Sequence, residues 1–259
     1  MIGPAAFGSG KMELYARYHD GGLAEFARAP AWLVDALPDN VNFDVGAKVH
    51  DLANAVRAFK CAAIREPGRV VITAATGTMG TASIKLARFY GVRQLVLVAR
   101  SRQRLEALRP LAGDLPVELL ALDELDADWA DNQGLTRRLR EVLPEGADAI
   151  LDFFPGGPGT VQAVRGLALG GTLVHMGGST APLAMPIAEI MQECWRIVGT
   201  RACTRSDTDD VLELLRSGRL SVDDLITHHF PLAEVNRAMQ VMLDRTEPIW
   251  MAVVHPGQG

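Results

Sequence analysis

The sequence predicts an α/β protein with a doubly wound, six-stranded parallel sheet, and three observations support this prediction. Six short apolar runs alternate with helical or turn segments between residues 70 and 200, the order that produces parallel strands. The first of these runs turns through small residues directly into a helix. Hydrophobic residues make up 48% of the 259 residues, so the chain can bury a substantial core.

Residues 70–91, VVITAATGTMGTASIKLARFYG, are the stretch on which this prediction depends most. The first four are short and β-branched, as in a strand that is buried on both faces. After the turn, apolar residues recur at steps of three and four, which is typical of a helix with one packed face. Gly91 ends this helix, since glycine adopts the left-handed conformation at little cost.

The turn itself is an imperfect G-x-G-x-x-G pattern. Ala75 stands in place of the first glycine, and Gly77 and Gly80 fill the other two places. Free N–H groups and the positive end of a helix dipole meet at such a turn, which suits a pyrophosphate. A strand–helix turn without a ligand is the alternative. The backbone contacts to the pyrophosphate are predicted from Thr76, Gly77, Thr78, Met79 and Gly80.

The other elements follow in order along the chain. A strand is predicted near residues 23–26, a surface connection over 31–42 and a helix over 45–63. The remaining sheet strands are predicted at residues 95–99, 117–122, 149–153, 171–176 and 196–200. After residue 200 the alternation stops, and we predict a helix at 207–215, a short strand in ITHHFPL, a helix at 233–243 and a strand at 249–254.

Charge and cysteine content limit the classes of function. The net charge of −5 argues against a nucleic-acid or anionic-membrane partner. No apolar stretch is long enough for a membrane span, and the first residues do not resemble a signal peptide. Cys61, Cys194 and Cys203 lie far apart, which supports neither a disulfide framework nor a cysteine-rich zinc site. We therefore expect a cytoplasmic protein.

Eight segments, in order, resemble the medium-chain dehydrogenase/reductase family, which includes zinc alcohol dehydrogenases and quinone and enoyl reductases. They include DGGLAEFARAP, LPDNVNFDVGAKV, VVITAATGTMGTASIKLARFYG, GADAILDFFPGG, LALGGTLVHMGG, IVGTRACTRSD and LITHHFPLAEVNRAM, followed by the closing strand. The resemblance implies a Rossmann dinucleotide-binding domain over residues 46–200. It also implies a remnant of a GroES-like substrate lobe over 1–45 and a return to that lobe over 201–259.

The sequence also departs from the family pattern. Most of the GroES-like lobe, with its first zinc cysteine and Gly-His-Glu segment, has no counterpart here. The first four residues, MIGP, resemble a strand late in that lobe. We therefore expect a truncated chain without a catalytic zinc.

The end of the second strand indicates which phosphate the cofactor carries. A carboxylate there would bind a ribose 2′-OH and repel a 2′-phosphate, whereas small, hydroxyl and cationic residues favour the phosphate. The alternative is that the arginines at this position belong to an ordinary surface helix turn. The residues concerned are Ala99, Arg100, Ser101 and Arg104, and they favour NADP(H) over NAD(H).

Two later strand ends complete the predicted cofactor site. Ligands of doubly wound sheets lie at the carboxyl ends of the strands. We therefore expect Phe154 beside the ribose, and Gly177 and Gly178 beside the nicotinamide.

His50 is the main candidate for catalysis. It resembles the position at which zinc-dependent family members carry a Glu or Cys ligand, and a histidine there could relay a proton. A partly buried helix histidine is the alternative. Asp51 and Asn54 are weaker candidates for substrate contact.

No metal site is predicted. His228 and His229 are adjacent, so on a strand they point to opposite faces and cannot bind one ion together. His175 is predicted to be a core histidine, and Asp152 either caps its strand or faces the cofactor.

The resemblance implies an NADP(H)-dependent oxidoreductase that transfers a hydride between nicotinamide and a carbonyl, an alcohol or an activated double bond. A small-molecule substrate and a homodimer formed through residues 196–202 are expected. The alternative is an NADP(H)-binding module without turnover, acting as a sensor or partner subunit.

Overall fold

The computed structural model describes residues 21–257 and divides into two compact units. The sheet unit comprises residues 54–201, and the flanking unit joins residues up to 53 with those from 202 onward. Helix α1 (Phe43–Ala62) begins in the flanking unit and ends in the sheet unit. The segment MIGP, which resembles a family strand, lies outside the described residues.

The sheet unit contains six parallel strands in the order β3-β2-β1-β4-β5-β6, which confirms the predicted fold class. All six sheet strands expected from the sequence are present. Their bounds are β1 (Gly68–Ile72), β2 (Val92–Ala99), β3 (Val117–Ala121), β4 (Ala147–Asp152), β5 (Leu167–His175) and β6 (Arg196–Gly199). The strand order reverses between β1 and β4, and in such sheets ligands bind beyond the carboxyl ends of the strands at this point.

Helices connect these strands and cover the sheet. Their bounds are α2 (Thr78–Leu86), α3 (Arg102–Glu106), α4 (Gly134–Val142), α5 (Gly159–Val164) and α6 (Ile187–Gln192). The apolar residues of the central strands β1 and β4 are fully buried, as expected of strands covered on both faces. Gly91 has a φ of +68°, which confirms the left-handed end expected after α2. Over residues 21–257, no helix has both the length and the apolarity that a bilayer crossing requires.

The flanking unit contains a two-stranded parallel sheet and helices. Its later elements are α7 (Arg205–Arg216), β7 (His228–Pro231), α8 (Val235–Asp244) and β8 (Ala252–His255), with β7 paired to β8. Thr204 and Asp207 form a reciprocal capping box that fixes the start of α7. The helices and strands predicted after residue 200 are therefore confirmed.

The strand predicted near residues 23–26 is wrong. This segment consists of bends, and the side chain of Phe26 is 88% exposed. Gly21 and Gly22 precede it, and no strand of the described range pairs with it. Alternating residues do not form a strand without a neighbour that takes up the backbone hydrogen bonds. The surface connection predicted over residues 31–42 is present and contains one 3₁₀ turn (Ala31–Leu33).

Candidate cofactor-binding and active site

The turn between β1 and α2 is held in a fixed shape by its own backbone. Ala74 adopts a left-handed conformation with a φ of +46°, and its carbonyl accepts a hydrogen bond of 2.9 Å from the Gly77 N–H. The Gly77 carbonyl in turn accepts from the Thr81 N–H, which begins the helix. Thr78 is exposed at the first position of α2. The start of the helix therefore faces outward, while the Gly77 N–H is already used within the turn.

Gly80 allows α2 to pack closely on the turn. A Cβ atom at this position would lie 2.4 Å from the Ala75 carbonyl oxygen, a backbone atom that cannot move aside easily. Ala75 is fully buried, and its N–H donates to the Val98 carbonyl of β2. The glycine at the third place of the motif is thus required by the packing, which matches the role that glycine has in dinucleotide-binding turns.

The end of β2 carries one exposed cation. Ala99 is buried at the last position of the strand, and the Arg100 side chain is exposed and makes no ion pair within residues 21–257. Arg102, in contrast, pairs with Glu106 and Glu124. Among the arginines that follow β2, Arg100 is therefore best placed to meet a phosphate.

One carboxylate lies close to this cation. The Asp123 side chain accepts a hydrogen bond of 3.2 Å from the Arg102 N–H at the start of α3, and the Asp123 N–H donates to the Arg100 carbonyl. Its negative charge opposes a phosphate at the same place, since like charges repel. The end of β2 thus carries charges of both signs.

A buried aspartate and a histidine meet at the ends of β4 and β5. The Asp152 Oδ2 atom lies 2.7 Å from His175 Nδ1 and accepts from Thr160 Oγ1 at 2.9 Å. The other carboxylate oxygen accepts from Thr73 Oγ1 at 2.6 Å. Asp152 has no exposed surface, whereas the His175 side chain is 26% exposed. The pair therefore holds one imidazole in a fixed orientation at the carboxyl edge of the sheet.

Asp152 also controls the charge of this imidazole. Its hydrogen bond to His175 raises the pKa of the histidine above the ordinary value of 6.5, although burial opposes the change. A histidine that is oriented by a carboxylate through one ring nitrogen can exchange a proton through the other. His175 can thus act chemically as a general acid or base.

The sequence does not predict that these two residues form a pair. It predicts a core histidine at His175 and, at Asp152, either a strand cap or a group facing the cofactor. In the sheet the two residues are direct partners in the β4–β5 register. The sequence did contain a signal for the pair. A polar residue ends each of two neighbouring strands, and the carboxyl ends of parallel strands lie at one edge of the sheet.

The glycines after β5 lie against the end of β4. A Cβ atom on Gly177 would be 2.3 Å from the Phe154 carbonyl oxygen. The Phe154 ring is buried, and a Cβ on Gly159 would approach it to 2.7 Å. Gly178 has open space around it. The ends of β4 and β5 therefore leave room beside Gly178, while contact of Phe154 and Gly177 with a cofactor stays a prediction.

The three residues predicted for catalysis lie close together in the middle of α1. His50 is exposed, and Asp51 forms a 3.0 Å ion pair with Lys48, which also donates to the Trp250 carbonyl. Burial lowers the pKa of Lys48. Asn54 is buried and belongs to the sheet unit, whereas His50 and Asp51 belong to the flanking unit. The role of these three residues in catalysis stays a prediction.

None of the predicted site residues belongs to a set of metal ligands within residues 21–257. The one group there whose ligand atoms converge is formed by Asp44, His229 and His255 in the flanking unit.

A sheet of this strand order with a glycine turn after β1 defines the Rossmann-type class of α/β proteins. Residues 78–217 match the family model described as "Zinc-binding dehydrogenase". The chain therefore belongs to this family, within the medium-chain dehydrogenase/reductase superfamily, as the resemblance of the eight segments predicts.

Relatives of known name are reductases and dehydrogenases. The chain is 28% identical over 212 residues to a probable D-xylulose reductase A of Aspergillus fumigatus, which covers 81% of this chain and 56% of that protein. It is 26% identical over 228 residues to the D-xylulose reductase of Saccharomyces cerevisiae, with 85% and 60% covered. The chain thus spans somewhat more than half the length of these relatives.

Solved structures share the fold. An alcohol dehydrogenase from Thermus sp. ATN1 superposes with a TM-score of 0.75 at 22% identity, over 91% of this chain and 66% of that one. The 2-octenoyl-CoA carboxylase reductase CinF, in complex with NADP and 2-octenoyl-CoA, gives a TM-score of 0.78 at 22% identity, with 92% and 56% covered.

Proposed function

We propose that the chain binds NADP(H) and acts as an oxidoreductase, without a catalytic zinc, on a carbonyl, an alcohol or an activated double bond of a small molecule. The observation that carries this proposal is the packing of Gly80 against Ala75 at the β1–α2 turn. It gives the turn the shape that dinucleotide-binding proteins use for a pyrophosphate. The names of the relatives, all dehydrogenases or reductases, support hydride transfer.

The residues of the turn fit the diphosphate part of the cofactor. The first N–H groups of a helix have no partner within the helix, and the helix dipole favours an anion there. Because Gly77 uses its N–H within the turn, the contacts are assigned mainly to the start of α2, at Thr78, Met79 and Gly80. Thr76 and Gly77 line the approach.

The preference for NADP(H) over NAD(H) rests on the end of β2. Ala99 contributes no carboxylate, and Arg100 offers an exposed guanidinium to a 2′-phosphate. Ser101 and Arg104 supply a hydroxyl and a second cation. The Asp123 carboxylate repels a 2′-phosphate. We therefore attribute the preference for NADP(H) mainly to the Arg100 guanidinium.

The chemistry is divided between cofactor and protein. A bound nicotinamide supplies or accepts the hydride. We assign the proton to His175, whose imidazole is oriented by Asp152 and whose pKa is raised by the hydrogen bond to that carboxylate. His50 is the second candidate for this role.

Cofactor preference is tested first by binding. NADPH and NADH are titrated into the wild type, Arg100→Ala and the matched control Arg138→Ala, which removes an exposed cation from α4. Loss of one charge-assisted contact to the 2′-phosphate should weaken NADPH binding by about 10–100-fold. NADH affinity should hardly change, and the control should behave as the wild type. Equal losses for both cofactors would contradict the assignment of Arg100.

Turnover is tested next on aldehydes, ketones, quinones and enones. NADPH oxidation with any of these classes supports the oxidoreductase. Tight NADPH binding without turnover on any of them would instead support the alternative, a binding module.

A further inference from the structure

Asp44, His229 and His255 form a group of three metal-ligating side chains in the flanking unit. Asp44 lies in the first turn of α1, and the two histidines lie on β7 and β8. In the β7–β8 register His229 is opposite Val253, so His255, two residues on, lies on the same face of the sheet. The fold thus brings together three residues that are far apart in the sequence.

The three groups lie close enough together for one ion. His229 Nδ1 lies 3.3 Å from His255 Nε2, which is the separation of two nitrogen ligands around a tetrahedral zinc ion with bonds of about 2.0–2.1 Å. The Asp44 carboxylate approaches the two nitrogens through different oxygens, with Oδ2 3.4 Å from His229 Nδ1 and Oδ1 3.5 Å from His255 Nε2. One ligand atom of each residue lies within 4.8 Å of the other two. A single ion can therefore bind all three groups once the carboxylate turns one oxygen toward both nitrogens.

Two arrangements can hold these groups together. Without an ion, each imidazole N–H can donate to a different oxygen of the Asp44 carboxylate, which only accepts. With an ion, each of the three groups gives a lone pair to the same cation. Titration with Zn²⁺ distinguishes the two arrangements.

The Asp44 carboxylate does not cap the start of α1. Asn42 provides the side-chain bond there, since its Oδ1 accepts from the Val45 N–H at 2.8 Å. His228, on the opposite face of β7, bonds to Thr227 and Glu247 instead.

We propose that Asp44, His229 and His255 bind one divalent cation of the zinc type. Two imidazoles and one carboxylate are ligands that Zn²⁺ accepts, whereas Mg²⁺ and Ca²⁺ prefer oxygen. Water takes the fourth position, because the His229 side chain is 53% exposed. The ion connects the first turn of α1 to both strands of the β7–β8 sheet.

Binding is measured on the metal-free, tag-free chain by calorimetry with Zn²⁺, with Mg²⁺ as the comparison. The wild type should bind one equivalent of Zn²⁺ and show a higher melting temperature with it. His229→Ala, His255→Ala and Asp44→Asn should each weaken binding by at least about tenfold, as loss of a ligand does at zinc sites. His228→Ala should bind as the wild type does.

Cobalt substitution keeps the proposal testable if a variant does not fold. Co²⁺ bound by nitrogen and oxygen in a tetrahedron gives strong visible bands, and it lacks the near-ultraviolet thiolate band that Cys61, Cys194 or Cys203 would add. A wild-type spectrum of this kind supports the site. Zn²⁺ binding that persists in all three variants, a thiolate band, or no stoichiometric binding would overturn it.

Discussion

Asp152 and His175 show how one buried carboxylate determines the behaviour of a partly exposed imidazole. Asp152 accepts hydrogen bonds from two threonines and faces His175 Nδ1 at 2.7 Å, so the imidazole has one orientation. A charged carboxylate without water nearby favours the protonated imidazole. The same contact therefore affects both the proposed chemistry and the stability of the sheet unit.

The stability of the fold should depend on pH through this pair. The folded-state pKa of His175 lies above 6.5, so its protonated form stabilises the folded chain. This contribution is complete below the unfolded pKa, near 6.5, and is lost as the pH rises through the raised folded pKa. The free energy of unfolding of the wild type should exceed that of His175→Gln by more on the acid side of this range than on the alkaline side.

Urea titrations across this pH range measure the difference. Asp152→Asn is the matched variant, since it keeps the shape of the side chain but removes the charge, and it should lose the same pH-dependent part. A difference between wild type and His175→Gln that is constant with pH would contradict the role of the ion pair.

Activity should depend on the same two residues. His175→Gln should lower kcat by about 10²-fold or more, the usual contribution of a general acid or base. Asp152→Asn, a positioning change, should also shift the pH profile of kcat. The measurement is steady-state kinetics on the substrate class found by the panel, with NADPH affinity as the control for cofactor binding. If His50→Ala lowers kcat and His175→Gln does not, His50 is the residue that transfers the proton.

Among the structural elements, the β1–α2 turn is the one whose packing depends most on a single residue, Gly80. Gly80→Ala places a Cβ 2.4 Å from the Ala75 carbonyl oxygen, and the helix must move away from the turn. We expect a loss of about 1–3 kcal/mol in the free energy of unfolding, the usual cost of overpacking, together with weaker NADPH binding.

Gly156→Ala is the control for this change, because nothing lies within 4 Å of the added atom and its φ is not left-handed. Both variants are compared by urea unfolding. Equal stability of Gly80→Ala and the wild type would show that the turn is not closely packed.

The sheet strands could be predicted because their residues carry a local signal. The buried parallel strands are continuous apolar runs, and Gly91 adopts the left-handed conformation after the 3₁₀ turn (Ala87–Phe89) that follows α2. The segment at residues 23–26 shows the limit of such signals, since an alternating pattern forms a strand only where a partner exists.

The two side-chain clusters depend on contacts that the sequence does not display. Asp152 and His175 meet through strand register, and Asp44 reaches His229 and His255 only because the chain returns to the flanking unit after residue 201. Neither the strand register nor the return of the chain to the flanking unit can be read from a pattern of neighbouring residues. The cofactor motif is different, because its residues lie within one strand–turn–helix.

For the whole molecule, we propose a homodimer formed through the β6 edge of the sheet. Within the sheet, β6 pairs only with β5, so its outer edge offers unpaired backbone groups. Ile187 and Met191 on the preceding helix are exposed apolar residues. Sedimentation velocity should give about twice the chain mass of 27.9 kDa, with dissociation on dilution. A single species at the monomer mass at all concentrations would contradict the homodimer.

The central claim, that the β1–α2 turn binds the diphosphate of NADPH, is tested most directly by a crystal structure of the chain with NADPH. The account predicts diphosphate oxygens within hydrogen-bond distance of the N–H groups at Thr78, Met79 and Gly80, and the 2′-phosphate beside Arg100. NADPH bound at another place, or a turn filled by protein side chains at saturating cofactor, would contradict it.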